Sequence, residues 1–144
     1  MRRIALGLLC LSLAACAAGR KSAVGFRLPD GDAARGQAAF VELKCYACHS
    51  VAGVTLPDPI VDPAVRVIEL GGLVPQPPTD GDLTASIVHP SHRIASGYGR
   101  TYVQSGGLSR MGDFGGTMTV HQLVDLVAFL QSTYEVEIPA VSGP

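Results

Sequence analysis

Five consecutive residues hold the densest chemistry of the chain: Cys45-Tyr46-Ala47-Cys48-His49. Two thiols three apart, followed at once by an imidazole, match the C-x-x-C-H attachment signature of c-type haem. The spacing has a physical reason. On a helical turn residues three apart share a face, so both sulfurs reach the two vinyl groups on one edge of a porphyrin. His49, next in the chain, is then carried under the iron as its proximal ligand. Other uses of these residues are poorer. A zinc site needs four ligands, and the only other histidines are His89, His92 and His121. A thioredoxin-type dithiol needs an alternating strand and helix context that is missing here. A disulfide closing so small a ring would staple almost nothing.

The other two cysteines, Cys10 and Cys16, lie in a segment of a different kind. Met1, Arg2 and Arg3 make a short positive start, and Ile4 to Leu13 is an apolar run of ten residues. That run is too short to span a bilayer and suits the h-region of a secretory signal, read over residues 1–15. Leu13-Ala14-Ala15-Cys16 looks like a bacterial lipobox, in which Cys16 becomes the lipidated first residue of the mature protein. Ordinary cleavage among the neighbouring small residues is the alternative, and would leave the protein soluble in the periplasm. Residues 16–31 show no sustained helical or strand period and read as a tether. The fifteen residues from Ala17 to Gly31 span roughly 20 Å root-mean-square if flexible. The expected location is therefore the periplasmic side of a bacterial membrane. Ala17 is not the aspartate that signals inner-membrane retention in many lipoproteins, which favours the outer one.

The remaining stretch, 32–144, is long enough for one domain and too short for two. Gly and Pro together make 27 of the 144 residues, about a fifth against an average of roughly 12%, so the domain is expected to be rich in loops. Charged residues are 16% and the formal net charge is −1. Nucleic-acid binders concentrate Lys and Arg, so a nucleic-acid partner is excluded. There is no Trp, and aromatics are 6%. Such a chain owns few of the large side chains that fill a core and has room for a cofactor to do so.

The elements that must position the motif can be read from periodicity and caps. A first helix begins at Asp30 or Asp32 and runs to the cysteines, with Ala33, Gly36, Phe40 and Leu43 on its buried face. Gly36 costs helix stability, and a close packing contact accounts for it. Pro57, Pro59 and Pro63 then forbid helix. Val65 to Val74, broken by Gly71-Gly72, is compatible with a small hairpin. Thr79 with Asp82 caps a short helix over Leu83, Ile87 and Val88, which stops at His89 before Pro90. Ser91 to Gly116 is a long loop, of a length that usually serves a function or wraps something. Thr119 with Gln122 makes a capping box for a last helix, with Val120, Leu123, Val124, Val127, Leu130 and Tyr134 on one apolar face. Pro139 lies beyond its end.

With these elements in place, residues 30 to 134 resemble the class I c-type cytochromes, and among them the bacterial lipoprotein members. The residues that carry the resemblance are Gly36 and Phe40, the Cys45–His49 motif, the proline-rich loop, Met111-Gly112-Asp113-Phe114, and Leu123, Asp125, Val127, Phe129 and Leu130. The resemblance implies an all-α class I cytochrome c fold, its first and last helices crossing around one covalently bound haem c, with Gly36 admitting Phe129 or a neighbour. It also implies that a carbonyl from Pro59 or Pro63 accepts a hydrogen bond from the second nitrogen of His49. Two departures stand out: Gly112 occupies a position where members often have proline, and 57–78 fits the pattern poorly.

The sixth iron ligand has two methionine candidates. Met118 directly precedes the cap Thr119, where it can pack on Leu123 as a hydrophobic staple. Met111 has no such local role, and a Gly-rich loop carries a sulfur to the iron freely; Met111 is the expected ligand. His89 or His92 would replace it in a bis-histidine protein. With His49 and a thioether on the iron no position is open, which favours one-electron exchange over substrate activation. The expectation is thus an electron carrier rather than an enzyme, passing electrons between an unidentified redox protein donor and acceptor. A haem enzyme subunit or gas-binding cytochrome with a labile sixth ligand is the alternative. Arg93, Tyr98, Arg100, Tyr102 and Arg110 are candidates to hold the haem propionates.

Overall fold

A computed structural model of the chain describes residues 27–60 and 66–137. The expected signal, Cys16, most of the tether, Pro63, Val65 and Pro139 lie outside the described residues. Four α-helices make the frame: α1 (Ala33–Glu42), α2 (Asp80–Val88), α3 (Arg100–Val103) and α4 (Val120–Gln131). Each of the three longer helices starts at a cap built from local side chains. Asp32 accepts from the Arg35 amide, and Thr79–Asp82 and Thr119–Gln122 form reciprocal capping boxes. Contact with the core begins at Leu28, a few residues ahead of the expected domain start at 32.

The two ends of the fold meet where α1 crosses α4. A Cβ on Gly36 would lie 2.0 Å from the Asp125 carbonyl oxygen and 2.6 Å from Phe129 Cβ. Only glycine fits. Beside it the Phe40 and Phe129 rings meet edge to face at 5.7 Å, an arrangement that adds about 0.5–1.5 kcal/mol to the apolar burial. Asp125, buried on the inner side of α4, accepts from the Asp32 amide at 2.7 Å and from Arg35 Nε at 2.8 Å and its terminal nitrogen at 3.1 Å. A carboxylate from the last helix thus binds the first turn of the first. Those hydrogen bonds from Arg35 and from the Asp32 backbone hold the Asp125 carboxyl below the usual range. At the other end of α1, Gln122 Nε2 donates to Glu42 at 3.3 Å.

The apolar face of α4 departs from expectation at its ends. Val124, Leu126, Val127, Phe129 and Leu130 are buried, but Val120 is 74% exposed, one turn ahead of the first buried residue. Tyr134 follows the helix and belongs to a strand.

The all-α expectation holds only roughly, because short strands edge the helical core: β1 (His49–Val51), β2 (Ile68–Leu70), β3 (Gly72–Val74), β4 (Gln104–Ser105), β5 (Leu108–Ser109) and β6 (Tyr134–Val136). The hairpin expected on Gly71-Gly72 does not form. Gly71 alone separates β2 from β3, too little chain to fold back, and both glycines are left-handed with φ of 78° and 80°. β2 instead runs parallel to β1, and β3 parallel to β6. The Gly-Gly pair that does turn a hairpin is Gly106-Gly107, with φ of 58° and 83°, joining antiparallel β4 and β5 inside the expected loop. Two positive φ values at the central positions are the requirement of a type I′ turn.

Gly36→Ala should cost about 3 kcal/mol or more, since neither backbone nor Phe129 can yield. Gly81→Ala, inside α2 with its nearest neighbour atom at 3.7 Å, should instead gain about 0.5 kcal/mol; denaturant melts of the two variants give opposite signs. For Asp125, a depressed folded pKa means stability that is present above the unfolded pKa and lost as pH falls through the folded one. Asp125→Asn should therefore melt lower than the parent at pH 7, with the gap closing as pH drops below about 4.

Candidate functional site

The cysteine motif sits just beyond α1. The helix closes with the amides of Leu43 and Lys44 donating to Ala39 and Val41. Lys44 is left-handed, φ 57° and ψ 32°, a conformation that costs a non-glycine residue about 1 kcal/mol or more. It redirects the chain into a single 3₁₀ turn over Cys45–Ala47, which Cys48 closes by donating to the Cys45 carbonyl at 3.2 Å. Residues i and i+3 of a 3₁₀ turn eclipse one another, so the two sulfurs share a face. Burial pushes the Cys45 thiol up to about 11. At neutral pH it stays protonated, which disfavours thiolate exchange. Among the described residues no group of three or more His, Cys, Asp or Glu side chains could hold a metal ion by itself.

His49 is oriented by a strand that the sequence did not reveal as its partner. The β1–β2 pairing sets His49 opposite Ile68, and His49 Nδ1 lies 3.2 Å from the Ile68 carbonyl oxygen. A carbonyl only accepts, so Nδ1 carries the hydrogen and Nε2 of the neutral ring keeps its lone pair. Burial moves the His49 pKa below its ordinary value, which favours that neutral ring. The expected carbonyl of Pro59 or Pro63 is thereby corrected. Pro59 is exposed, and Pro63 lies outside the described residues. The acceptor comes from Ile68, beyond the proline-rich stretch.

Two adjoining hollows open beside His49. The inner one is walled by Phe40, Leu43, Ile87, Phe114, Leu126 and Leu130, with Cys45, Met111 and Met118. Cys48 lines the outer one. Three residues line both: His49, Leu70 and Met111. Two cysteines on one turn, an imidazole with a free Nε2, thioethers and apolar walls are the donors and surroundings a covalently bound haem requires. His89 and His92 line neither hollow; both are exposed, their rings stacked at 5.8 Å, with His92 Nδ1 donating to the His89 carbonyl. His121 is exposed on α4.

Met111 is delivered by the β4–β5 hairpin. The Arg110 amide donates to Val103, and the Met111 amide to Ser109 Oγ. Met118 and Leu123 are both partly buried against the core, as a staple requires. Of the five propionate candidates, Arg93, Tyr102 and Arg110 line the outer hollow, whereas Tyr98 and Arg100 do not. Arg66 lines it too. Sequence reasoning missed Arg66 because only the β1–β2 pairing brings it there.

Compared with known protein families, residues 33–134 match the family model described as Cytochrome c. No curated protein and no solved structure matches the chain. The family match implies haem c, covalently bound and containing iron.

Denaturing extraction with acidified acetone should leave the colour on the polypeptide, and a loss of all colour to the solvent would show that no thioether forms. Cys48→Ala should mature to less than a tenth of the parent's holoprotein yield, read by haem-stained gels.

Proposed function

The chain belongs to the cytochrome c family, and on that premise we propose that it is a one-electron carrier tethered on the periplasmic side of a bacterial membrane, with the haem iron held between His49 and Met111. As a family member it is a haem-based electron carrier that works between redox partners. The observation that carries the ligand assignment is that His49 and Met111 both line the two hollows, and so stand where these join. Met118 reaches only the inner one.

When bound, haem c supplies an iron that accepts and returns one electron. The chain's own residues determine how. His49, its Nδ1 held by Ile68, presents Nε2 in one orientation. The Met111 thioether would be the second protein ligand to the iron and would leave no site for substrate. The apolar walls exclude water from the ring faces and favour the state of lower charge. Leu13-Ala14-Ala15-Cys16 after a ten-residue apolar run supports acylation of Cys16, and each buried acyl methylene contributes about 0.8 kcal/mol of membrane affinity. Among the described residues no helix is long and apolar enough to cross a membrane.

Met111→Ala should abolish the weak sulfur-to-iron charge-transfer band of the oxidised protein. It should also lower the potential by on the order of 0.1 V, within the roughly 0.8 V range that axial ligands govern. Met118→Ala should keep the band and lose about 2 kcal/mol of stability. A band that survives loss of Met111 and vanishes with Met118 reverses the assignment. For the tether, the full chain should fractionate with membranes and Cys16→Ala with the soluble periplasm; a parent that is already soluble removes the lipid anchor.

A further inference from the structure

We infer that Arg66 and Arg110 form a paired carboxylate-binding rim that takes the two propionates of the bound haem, and that Arg93, although it lines the same hollow, is held out of that role by Asp82. This rests on the covalently bound haem c of the family and is independent of the sixth ligand.

Polarity is divided between the two hollows. No charged side chain lines the inner one, and no Asp or Glu lines either. An ionised carboxylate in the inner hollow would have no partner, an arrangement that folded proteins avoid. The outer hollow is lined by three guanidiniums, Arg66, Arg93 and Arg110. The two carboxylates of a haem lie side by side on one edge of an otherwise apolar ring, so this division admits the ring with that edge outward.

The three arginines are not equivalent. Arg93 donates to Asp82 Oδ1 at 3.0 Å, and Asp82 is itself fixed by Thr79 at the cap of α2. Its charge is already matched. Arg110 is tied at both ends of the residue: its amide donates to Val103, and its Nε to the Thr101 carbonyl at 2.9 Å. This aligns the guanidinium and leaves its terminal nitrogens for another acceptor. Arg66, two residues before the carbonyl that holds His49, makes no ion pair among the described residues. Two uncommitted guanidiniums therefore face a ligand with two carboxylates, and the planar fork of arginine suits each of them.

The experiment reads the propionate bending bands in the resonance Raman spectrum of purified holoprotein. Arg66→Gln and Arg110→Gln should each shift one band, the double variant both, and Arg100→Gln, which removes the same charge from outside the hollow, neither. Arg66→Lys and Arg110→Lys, which keep the charge but lose the fork, should give smaller shifts and cover the case in which a glutamine variant fails to mature. Unshifted bands in the double variant overturn the inference, including the case where only the salt dependence of reaction with an acidic partner changes. A larger shift in Arg93→Gln than in either other single variant overturns the division of roles. The bands report on the propionates whichever group holds the sixth position. Failure here and failure of the Met111 assignment are thus separately visible, the latter in the charge-transfer band.

Discussion

The crossing of α1 and α4 at Gly36 is the constraint on which the remaining geometry depends. With no Cβ at Gly36, the backbone of α1 lies directly on the Asp125 carbonyl, and the helices cannot slide without a clash on one side or a void on the other. The cysteine turn begins three residues after α1 ends, and Met118 immediately precedes the cap of α4. Fixing the crossing therefore fixes the separation between the chain that carries His49 and the chain that carries Met118. The Asp125 carboxylate adds direction to this contact. By binding the Asp32 amide and the Arg35 guanidinium it ties the start of α1 to the middle of α4, while Gln122 and Glu42 meet at the other end. Two polar contacts at opposite ends of α1 resist rotation about a point that packing alone would leave free.

Between these helices the chain builds a binding site in place of a filled core. It has no Trp and few aromatics, and two of its phenylalanines, Phe40 and Phe129, are used in the crossing itself. Leu43, Leu70, Ile87 and Leu126 line a hollow instead of closing it. A porphyrin supplies the large flat apolar surface that the sequence lacks, and this links cofactor attachment to stability. The same walls keep solvent from the iron, so little water has to reorganise when its charge changes by one.

Features set by neighbours in the chain were legible in the sequence. Asp32, Thr79 with Asp82 and Thr119 with Gln122 act on amides within three residues, so residue type and spacing suffice. The cysteine motif is likewise local, and Gly36 is conspicuous as a glycine in a helical pattern. What escaped depends on which distant strand lies alongside. Ile68 acts through its backbone, which any residue offers, and no side chain marks it as the partner of His49. Arg66 reaches the outer hollow through the same pairing. Gly71-Gly72 and Gly106-Gly107 are the same dipeptide, and only the second turns its flanking residues into a hairpin. The first is diverted because β1 and β6 offer its flanking strands better partners.

The two residues proposed to hold the iron stand on supports of unequal stiffness. On the His49 side the ring is held by a backbone carbonyl in a strand pair, and the motif lies just beyond α1, which is fixed against α4 at Gly36. On the Met111 side the support is a two-residue-per-strand hairpin and a relay of hydroxyls: the Met111 amide donates to Ser109 Oγ, and the Ser109 amide to Ser91 Oγ. Gly112 follows, exposed, with open space where a Cβ would stand. Segments with few buried apolar contacts and side-chain-mediated hydrogen bonds open at lower free energy than packed helices. Under the proposed ligation, local opening would free the Met111 side chain before His49, whose ring is held by a paired strand. A haem held covalently at Cys45 and Cys48 would make a yielding Met111 side tolerable, because its attachment would not depend on the β4–β5 hairpin.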